Sequence, residues 1–352
     1  MSLKFIVCLF AATAFVSFVC TVCVRRLMLV LGVMDVPTER KRHCHPIAYE
    51  GGLAMFVALL VGLCLTYWRQ PEFVFDYHLF IAIVIGAAAT VCLGVSDDLL
   101  DLKPWFKLLA QFGIGGWMYY NGFTIEKVTN PFGGELILWP IVGLVCSMLW
   151  YGLLINAVNM IDGLDGLAAG VVGISALVLA AVAWDLNQPI GIILGVLISA
   201  SCCGFLPLNF NPAKIFMGDA GSMLLGFALA TQTMLSSSKS PALLALLVPM
   251  LAVGLPLFDL VFSFMRRLIA GKHPFTPDRR HLHHRFMAAG FSQRRTVLIF
   301  YYLTAFLGLV AYMVQKMAPI ATFAILALVL IGSYILIGSL RYLENKQTSQ
   351  NQ

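Results

Sequence analysis

The sequence predicts an all-α, polytopic integral membrane protein with about 11 transmembrane helices, its N-terminus outside and its C-terminus cytoplasmic. Three observations carry that prediction. Of 352 residues, 60% are hydrophobic and only 11% charged, against roughly 45–50% and 25% in soluble domains. Mean hydropathy is +0.88. The apolar residues form long runs without period-2 alternation, which argues for helices over a β-barrel. Such a composition excludes a cytosolic enzyme, a secreted disulfide scaffold and a disordered protein.

Eleven apolar stretches are candidates to cross a hydrocarbon core about 30 Å thick. They are 5–24, 52–68, 78–96, 108–124, 137–155, 167–184, 188–206, 220–236, 242–264, 296–314 and 319–340. The 137–155 and 188–206 stretches are the least delimited, because uncharged residues continue past both ends. Eighteen Lys and Arg fall in the loops after spans 1, 3, 5, 7 and 9 and at the C-terminus. The opposite side holds five: Lys4, Arg69, Lys127, Lys239 and Lys316. The positive-inside rule then sets the orientation. The first stretch reads as a retained span, since it ends in Val24-Arg25-Arg26 and not in a small-residue cleavage site. Residues 1–345 form one polytopic domain, with cytoplasmic loops at about 25–51, 97–107, 156–166, 207–219 and 266–295; residues 346–352 are a short polar tail.

Nine cysteines suggest no redox framework. Eight lie in or beside apolar spans, where a thiol behaves as a small hydrophobe. Cys20 and Cys23 have CxxC spacing but share one face of a membrane helix. Cys44 sits in a polar loop.

Five polar clusters fall in or beside the inward loops. The first runs from Gly32 through Asp35, Pro37 and Arg40-Lys41-Arg42-His43 to Gly51-Gly52; its bland reading is a positive-inside anchor. The second is Asp97-Asp98-x-x-Asp101, with Lys103 and Lys107 beyond. Adjacent carboxylates repel in low dielectric, so Asp97 and Asp98 need a cation, a proton or a basic partner. A solvated helix end is the alternative.

The third cluster is Asn156-x-x-Asn159-x-x-Asp162-Gly163-x-Asp165-Gly166. Asn156, Asn159 and, less closely, Asp162 share a helical face, and the glycine-rich turn then breaks the helix. It lacks the third acidic ligand and terminal Glu of an EF-hand. Its oxygens still suit Mg²⁺, which favours one or two carboxylates plus substrate phosphate.

The fourth cluster runs from Asn209 and Asn211 through Lys214 and Phe216 to Gly218-Asp219 and Ser222. Asp219 is either a site residue or an ordinary helix N-cap. The fifth is Pro277-Asp278-Arg279-Arg280-His281-x-His283-His284-Arg285. Zinc is one reading of its histidines, but the arginines would repel that cation. Arginine and histidine together suit a phosphate, and a plain basic loop is the alternative. Asp259, inside a span, has Arg266 two turns later on its face and reads as structural.

Carboxylates and amides for a divalent cation thus share one side with Lys, Arg and His for phosphates. No GxxxxGK[ST] and no strand-to-helix GxGxxG occurs, so a P-loop or Rossmann nucleotide site is unsupported.

Taken in order, these motifs resemble those of the polyprenyl-phosphate N-acetylhexosamine-1-phosphate transferases, closest to the bacterial undecaprenyl-phosphate N-acetylglucosamine-1-phosphate branch. Pro274-Phe275-Thr276-Pro277-Asp278-Arg279 also looks like that branch. The resemblance spans nearly the whole chain. It implies a multi-pass enzyme of the bacterial inner membrane with a cytoplasmic active site. There a lipid phosphate attacks the β-phosphorus of a UDP-sugar and releases UMP, the first membrane step of surface polysaccharide synthesis (O-antigen, common antigen or teichoic acid type).

The implied substrates are undecaprenyl phosphate and a UDP-N-acetylhexosamine, N-acetylglucosamine first; nucleic acid is no partner, and a homodimer is allowed. The implied cofactor is Mg²⁺, with Mn²⁺ able to substitute, and Asn159 and Asp219 resemble its ligands. Asp97 and Asp98 resemble the pair that handles the lipid phosphate. Lys107 resembles a pyrophosphate-binding lysine, Phe216 a residue that stacks on uracil and Asp165 one that reads the base. Asn156 and Asp162 join the substrate-binding set. Arg279, His281, His283, His284 and Arg285 match the sugar-diphosphate loop, with His281 and His283 taken as catalytic. A phosphate monoester has a second pKa near 6, so Asp97 would orient or finally deprotonate the acceptor. Direct attack and a covalent aspartyl-phosphate both stay open. A secondary transporter is the rival, but its ionisable groups belong near the midplane, often in repeats.

Overall fold

A computed structural model of the chain describes residues 2–36, 45–69, 77–125, 127–129, 135–237, 254, 267, 282–314, 316–317 and isolated positions between 324 and 339. The first helix, α1 (Leu3–Leu31), is capped by the Ser2 side chain, which accepts from Phe5 N–H at 3.3 Å. A short antiparallel pair follows, β1 (Met34–Asp35) with β2 (Ile47–Ala48). Then come α2 (Gly52–Arg69), α3 (Tyr77–Leu100) and α4 (Pro104–Tyr120).

A second small hairpin, β3 (Lys127–Thr129) with β4 (Glu135–Ile137), leads into α5 (Pro140–Ile161). After it come α6 (Leu167–Asp185), α7 (Pro189–Asn209), α8 (Gly218–Ser237), α9 (Leu282–Ala288) and α10 (Gln293–Val314). Proline opens α4, α5 and α7, where its missing N–H would have no helical partner anyway.

Nine of the eleven expected stretches coincide with these helices. Residues 242–264 and 319–340 lie largely outside the described residues. Seven described helices are long and apolar enough to cross a membrane: α1, α2, α3, α5, α6, α7 and α10. Helix α4 has only 17 residues. Helix α8 carries buried Ser222, Thr231, Gln232 and Thr233, which dilute its hydropathy although it lies at the centre of the bundle. It packs against α2, α3, α5, α6 and α7.

The two hairpins are small additions to the all-α expectation. Expected loop boundaries also shorten. Asp97 and Asp98 are still helical at the end of α3, and α5 runs to Ile161, so Asn156 and Asn159 stand on its last turns. Each helix therefore delivers its polar residues on a rigid end instead of on a loop.

Candidate active site

The N-terminus of α8 is the point beside which residues of the first four motifs gather. Small residues let it seat there. A Cβ at Gly94 of α3 would lie 2.7 Å from the Asp219 carbonyl carbon, and one at Gly52 of α2 2.8 Å from that of Ala220. The Gly51-Gly52 motif is stitched alongside: Gly51 N–H donates to Phe216 O (2.9 Å), Gly52 N–H to Met217 O (2.8 Å) and Phe216 N–H to Ala48 O (2.9 Å).

The adjacent aspartates take different partners. Asp97 accepts from Lys107 Nζ at 2.7 Å and from Leu102 N–H at 3.0 Å. Asp98 accepts from Asp219 N–H (3.1 Å), Ala220 N–H (3.3 Å) and Tyr49 O–H (3.2 Å), so it caps α8 from a neighbouring helix. Anionic caps favour a helix N-terminus, where unpaired N–H groups and the helix dipole meet them. Gly218 (φ 74°) supports this contact: a side chain there would put Cβ 2.8 Å from Asp98 Oδ2. Asp101 is exposed in the turn between α3 and α4.

Asp219 joins two compartments. Its carboxyl faces Asp97, and it also lines a cavity of ≈ 700 Å³. Asn159, Asp162, Asp165 and Phe216 line that cavity too, with Arg25, Lys214 and His45 among its basic residues. Asp97, Asp98 and Lys107 are not among the lining residues. Asp162 is held well above the usual carboxylate range, by burial first and then by Asp219, Asp98 and Asp165.

Two residues shape the cavity wall. Asp165 Oδ2 accepts from Asn211 Nδ2 (2.9 Å) and Ala213 N–H (3.1 Å). Buried Asn209 bridges Gly166 N–H (3.0 Å) and Ile215 O (3.0 Å).

Asn156, on the same helix as Asn159, is engaged away from the cavity. Its amide donates to Gln111 Oε1 (2.5 Å) and Gly152 O (2.7 Å), and it does not line the cavity. Arg285 is buried in α9 and is likewise absent from the lining. Arg279 and His281 lie outside the described residues, as do the side chains of His283 and His284.

Sequence reasoning overlooked Tyr49 and Glu50, which directly precede the quoted Gly51-Gly52. Tyr49 bonds Asp98, and burial pushes its phenol well up. Glu50 is 4% exposed, and its pKa is pushed up to about 7 by burial and then by Asp98. A lone carboxylate beside a Gly-Gly step in so apolar a chain was the available signal.

The donor set fits a hard divalent cation in one respect. Among the described residues, no three His, Cys, Asp or Glu side chains form a metal cage. An amide and carboxylates line one cavity, however, and Mg²⁺ needs only one or two protein carboxylates where substrate phosphate completes its shell.

Residues 80–237 match the pattern of glycosyl transferase family 4. A Bacillus subtilis (strain 168) protein, a probable undecaprenyl-phosphate N-acetylglucosaminyl 1-phosphate transferase, is 33% identical over 315 residues, covering 90% of this chain and 86% of its own. A decaprenyl-phosphate N-acetylglucosaminephosphotransferase of Mycobacterium tuberculosis is 33% identical over 324 residues, 85% of this chain and 79% of its own. The undecaprenyl-phosphate alpha-N-acetylglucosaminyl 1-phosphate transferase of Escherichia coli K12 is 27% identical over 317 residues, 88% and 84%. With a relative this similar over nine-tenths of its length, the chain belongs to glycosyl transferase family 4, as a phospho-N-acetylhexosamine transferase of the polyprenyl-phosphate type.

Proposed function

We propose that the chain transfers N-acetylglucosamine-1-phosphate from UDP-N-acetylglucosamine to undecaprenyl phosphate and releases UMP. The observation that carries this reading is the place of Asp219. On one side it faces Asp97, which holds Lys107; on the other it lines the ≈ 700 Å³ cavity with Asn159, Asp162 and Phe216.

The acceptor then approaches from the Asp97–Lys107 side. Exposed Leu99, Leu100, Trp105 and Phe106 surround that helix corner, an apolar surface suited to a lipid substrate. The UDP-sugar occupies the cavity, with Phe216 placed to stack on the base and Asp165 holding the wall through Asn211 and Ala213. Lys107 offsets phosphate charge. Asp97, already bonded to Lys107 and Leu102 N–H, orients the acceptor phosphate or takes its last proton.

Asn159 and Asp219 would hold Mg²⁺, with Mn²⁺ able to substitute. Bound there, the cation supplies Lewis-acid stabilisation of the leaving UMP. Such transfer needs charge neutralisation and alignment more than covalent help.

The same reading places the site on the cytoplasmic face of a bacterial inner membrane. It keeps eleven spans, an outside N-terminus and a single domain over 1–345, on the strength of the Lys and Arg asymmetry. It assigns the product to surface polysaccharide synthesis, and the Arg279, His281, His283, His284 and Arg285 loop to the sugar diphosphate, with His281 and His283 as acid–base groups. The test is UMP release by purified protein with undecaprenyl phosphate, Mg²⁺ and a panel of UDP-N-acetylhexosamines. Turnover with N-acetylglucosamine is expected to lead; no UMP from any donor refutes the reading. A labelled phospho-enzyme trapped with donor alone would replace direct attack by the covalent route.

A further inference from the structure

Glu50 is a buried acid with nowhere to place a charge. It is 4% exposed, and neither carboxyl oxygen has a hydrogen-bond donor partner. Its backbone sits at φ 67°, in the left-handed region, which is uncommon for a non-glycine residue and clusters at functional sites. The neighbouring Gly51 and Gly52 N–H groups, bonded to Phe216 O and Met217 O, hold the turn in place. What Glu50 meets is a second acid, Asp98.

We infer that Glu50 is a positioning residue of the transferase site: as a neutral carboxyl it donates a hydrogen bond to Asp98 and so fixes the carboxylate that caps α8 and places Asp219. Two carboxylates in contact cannot both ionise without mutual repulsion. Asp98 already receives three donors, from Tyr49, Asp219 N–H and Ala220 N–H, and these favour its charged form. The shared proton therefore stays on Glu50. The raised affinity of Glu50 for its proton agrees with this.

The charged neighbours leave the assignment intact. Asp98 faces Glu50 from α3, Asp219 of α8 and Asp162 reach the adjoining Tyr49, and Lys107 of α4 is committed to Asp97. When Glu50 ionises, a second negative charge presses on Asp98 and loosens its grip on α8.

The kinetic arm rests on the transferase reading; a spectroscopic arm does not. Infrared difference spectra of the full-length protein between about pH 6 and pH 9 should show a Glu50 component, distinct from any Asp162 contribution, in the carbonyl band of buried carboxylic acid that disappears on raising the pH. Glu50→Gln should lack that component. UMP release by wild type should fall about tenfold across the same range, while Glu50→Gln, which keeps a donor and cannot ionise, should fall less than about threefold. Glu50→Ala, with neither donor nor charge, should also be flat but at reduced kcat. A carbonyl difference band of unchanged intensity in Glu50→Gln, or equal alkaline losses in both proteins, overturns the inference. Absence of UMP from wild type, with the band behaving as expected, would count against the transferase reading alone.

Discussion

Replacing Gly94 by alanine tests whether the α3–α8 contact sets the site. The added Cβ would lie 2.7 Å from the Asp219 carbonyl carbon, with Ala220 N and Cα closer still, whereas ordinary contacts begin near 3.4 Å. Both sides are helical backbone, so neither yields by rotating a side chain. The Asp219–Ala220 segment must retreat by about 0.7 Å or more, as the difference of those two distances requires.

That retreat lengthens the 3.1 and 3.3 Å bonds from Asp219 and Ala220 N–H to Asp98, each a charge-assisted bond of about 1.5–3 kcal/mol. Overpacking itself costs about 1–3 kcal/mol. A shift near 1 Å in a catalytic group costs about 10²-fold in rate. Gly94→Ala should therefore lose about 10²-fold in kcat and unfold at a lower temperature. Gly113→Ala and Gly116→Ala on α4, where an added Cβ meets nothing within 4 Å, should behave as wild type. The assay is UMP release in nanodiscs beside a thermal melt. Gly94→Ala turning over within about threefold of wild type, with an unchanged melt, would refute the argument.

Further outcomes follow from the same geometry. Asp219→Asn should abolish turnover at ordinary Mg²⁺ and raise the Mg²⁺ needed for half activity; retained activity would show its metal role misassigned. Chelation should stop UMP release, and added Mg²⁺ should restore it. Lys107→Met removes the 2.7 Å partner of Asp97 and should lower kcat/KM by about 10²-fold or more, a loss of a charge-assisted bond and of phosphate neutralisation. Tyr301→Phe deletes the hydroxyl that donates to Gly166 O at 2.5 Å, costing about 1 kcal/mol in a melt.

The pH dependence of stability has a definite sign. Glu50 keeps its proton in the folded chain up to about pH 7, whereas an unfolded Glu releases it near pH 4.3. The folded state binds the extra proton between those values, so stability falls as pH rises through that window. Relative to Glu50→Gln, wild type should lose about 1–3 kcal/mol there, discounted for partial solvation. Equal slopes in the two proteins would contradict the burial of a neutral acid.

Much of this site was legible because charge is scarce in the chain. Asp97, Asp98, Asp162, Asp165 and Asp219 stood out against apolar runs, and four of them lie within reach of one another around α8 and the cavity. What could not be read was how each is used. Sequence put Asp97 and Asp98 in one role, yet adjacent residues on a helix point about 100° apart, so one turned to Lys107 and the other to the α8 backbone. Asn156 shares a helical face with Asn159 in sequence, but α4 supplied Gln111 as a partner for its amide. The pairing of Glu50 with Asp98 was invisible because nothing local links residue 50 to residue 98; the strand-like stitching of 47–52 onto 215–217 brings them together.

The polarity of α8 has a physical reason that also bears on Asp219. Between purely apolar helices in lipid, packing alone resists sliding or rotation, because no hydrophobic force distinguishes a neighbouring helix from the acyl chains. Directional bonds remove that freedom. Trp150 Nε1–H donates to Thr233 Oγ1 at 2.9 Å, Tyr151 and Thr231 hydroxyls meet at 3.2 Å, and Gln232 Nε2 donates to Ala176 O at 3.1 Å and Gly191 O at 3.3 Å. These bonds pin the far half of α8 to α5, α6 and α7, while Asp98, Gly94 and Gly52 seat its first turn. Asp219 is thus fixed in depth and rotation from both ends of its helix. The residues that make α8 a poor membrane span by composition are the ones that hold its carboxylate opposite Asp97.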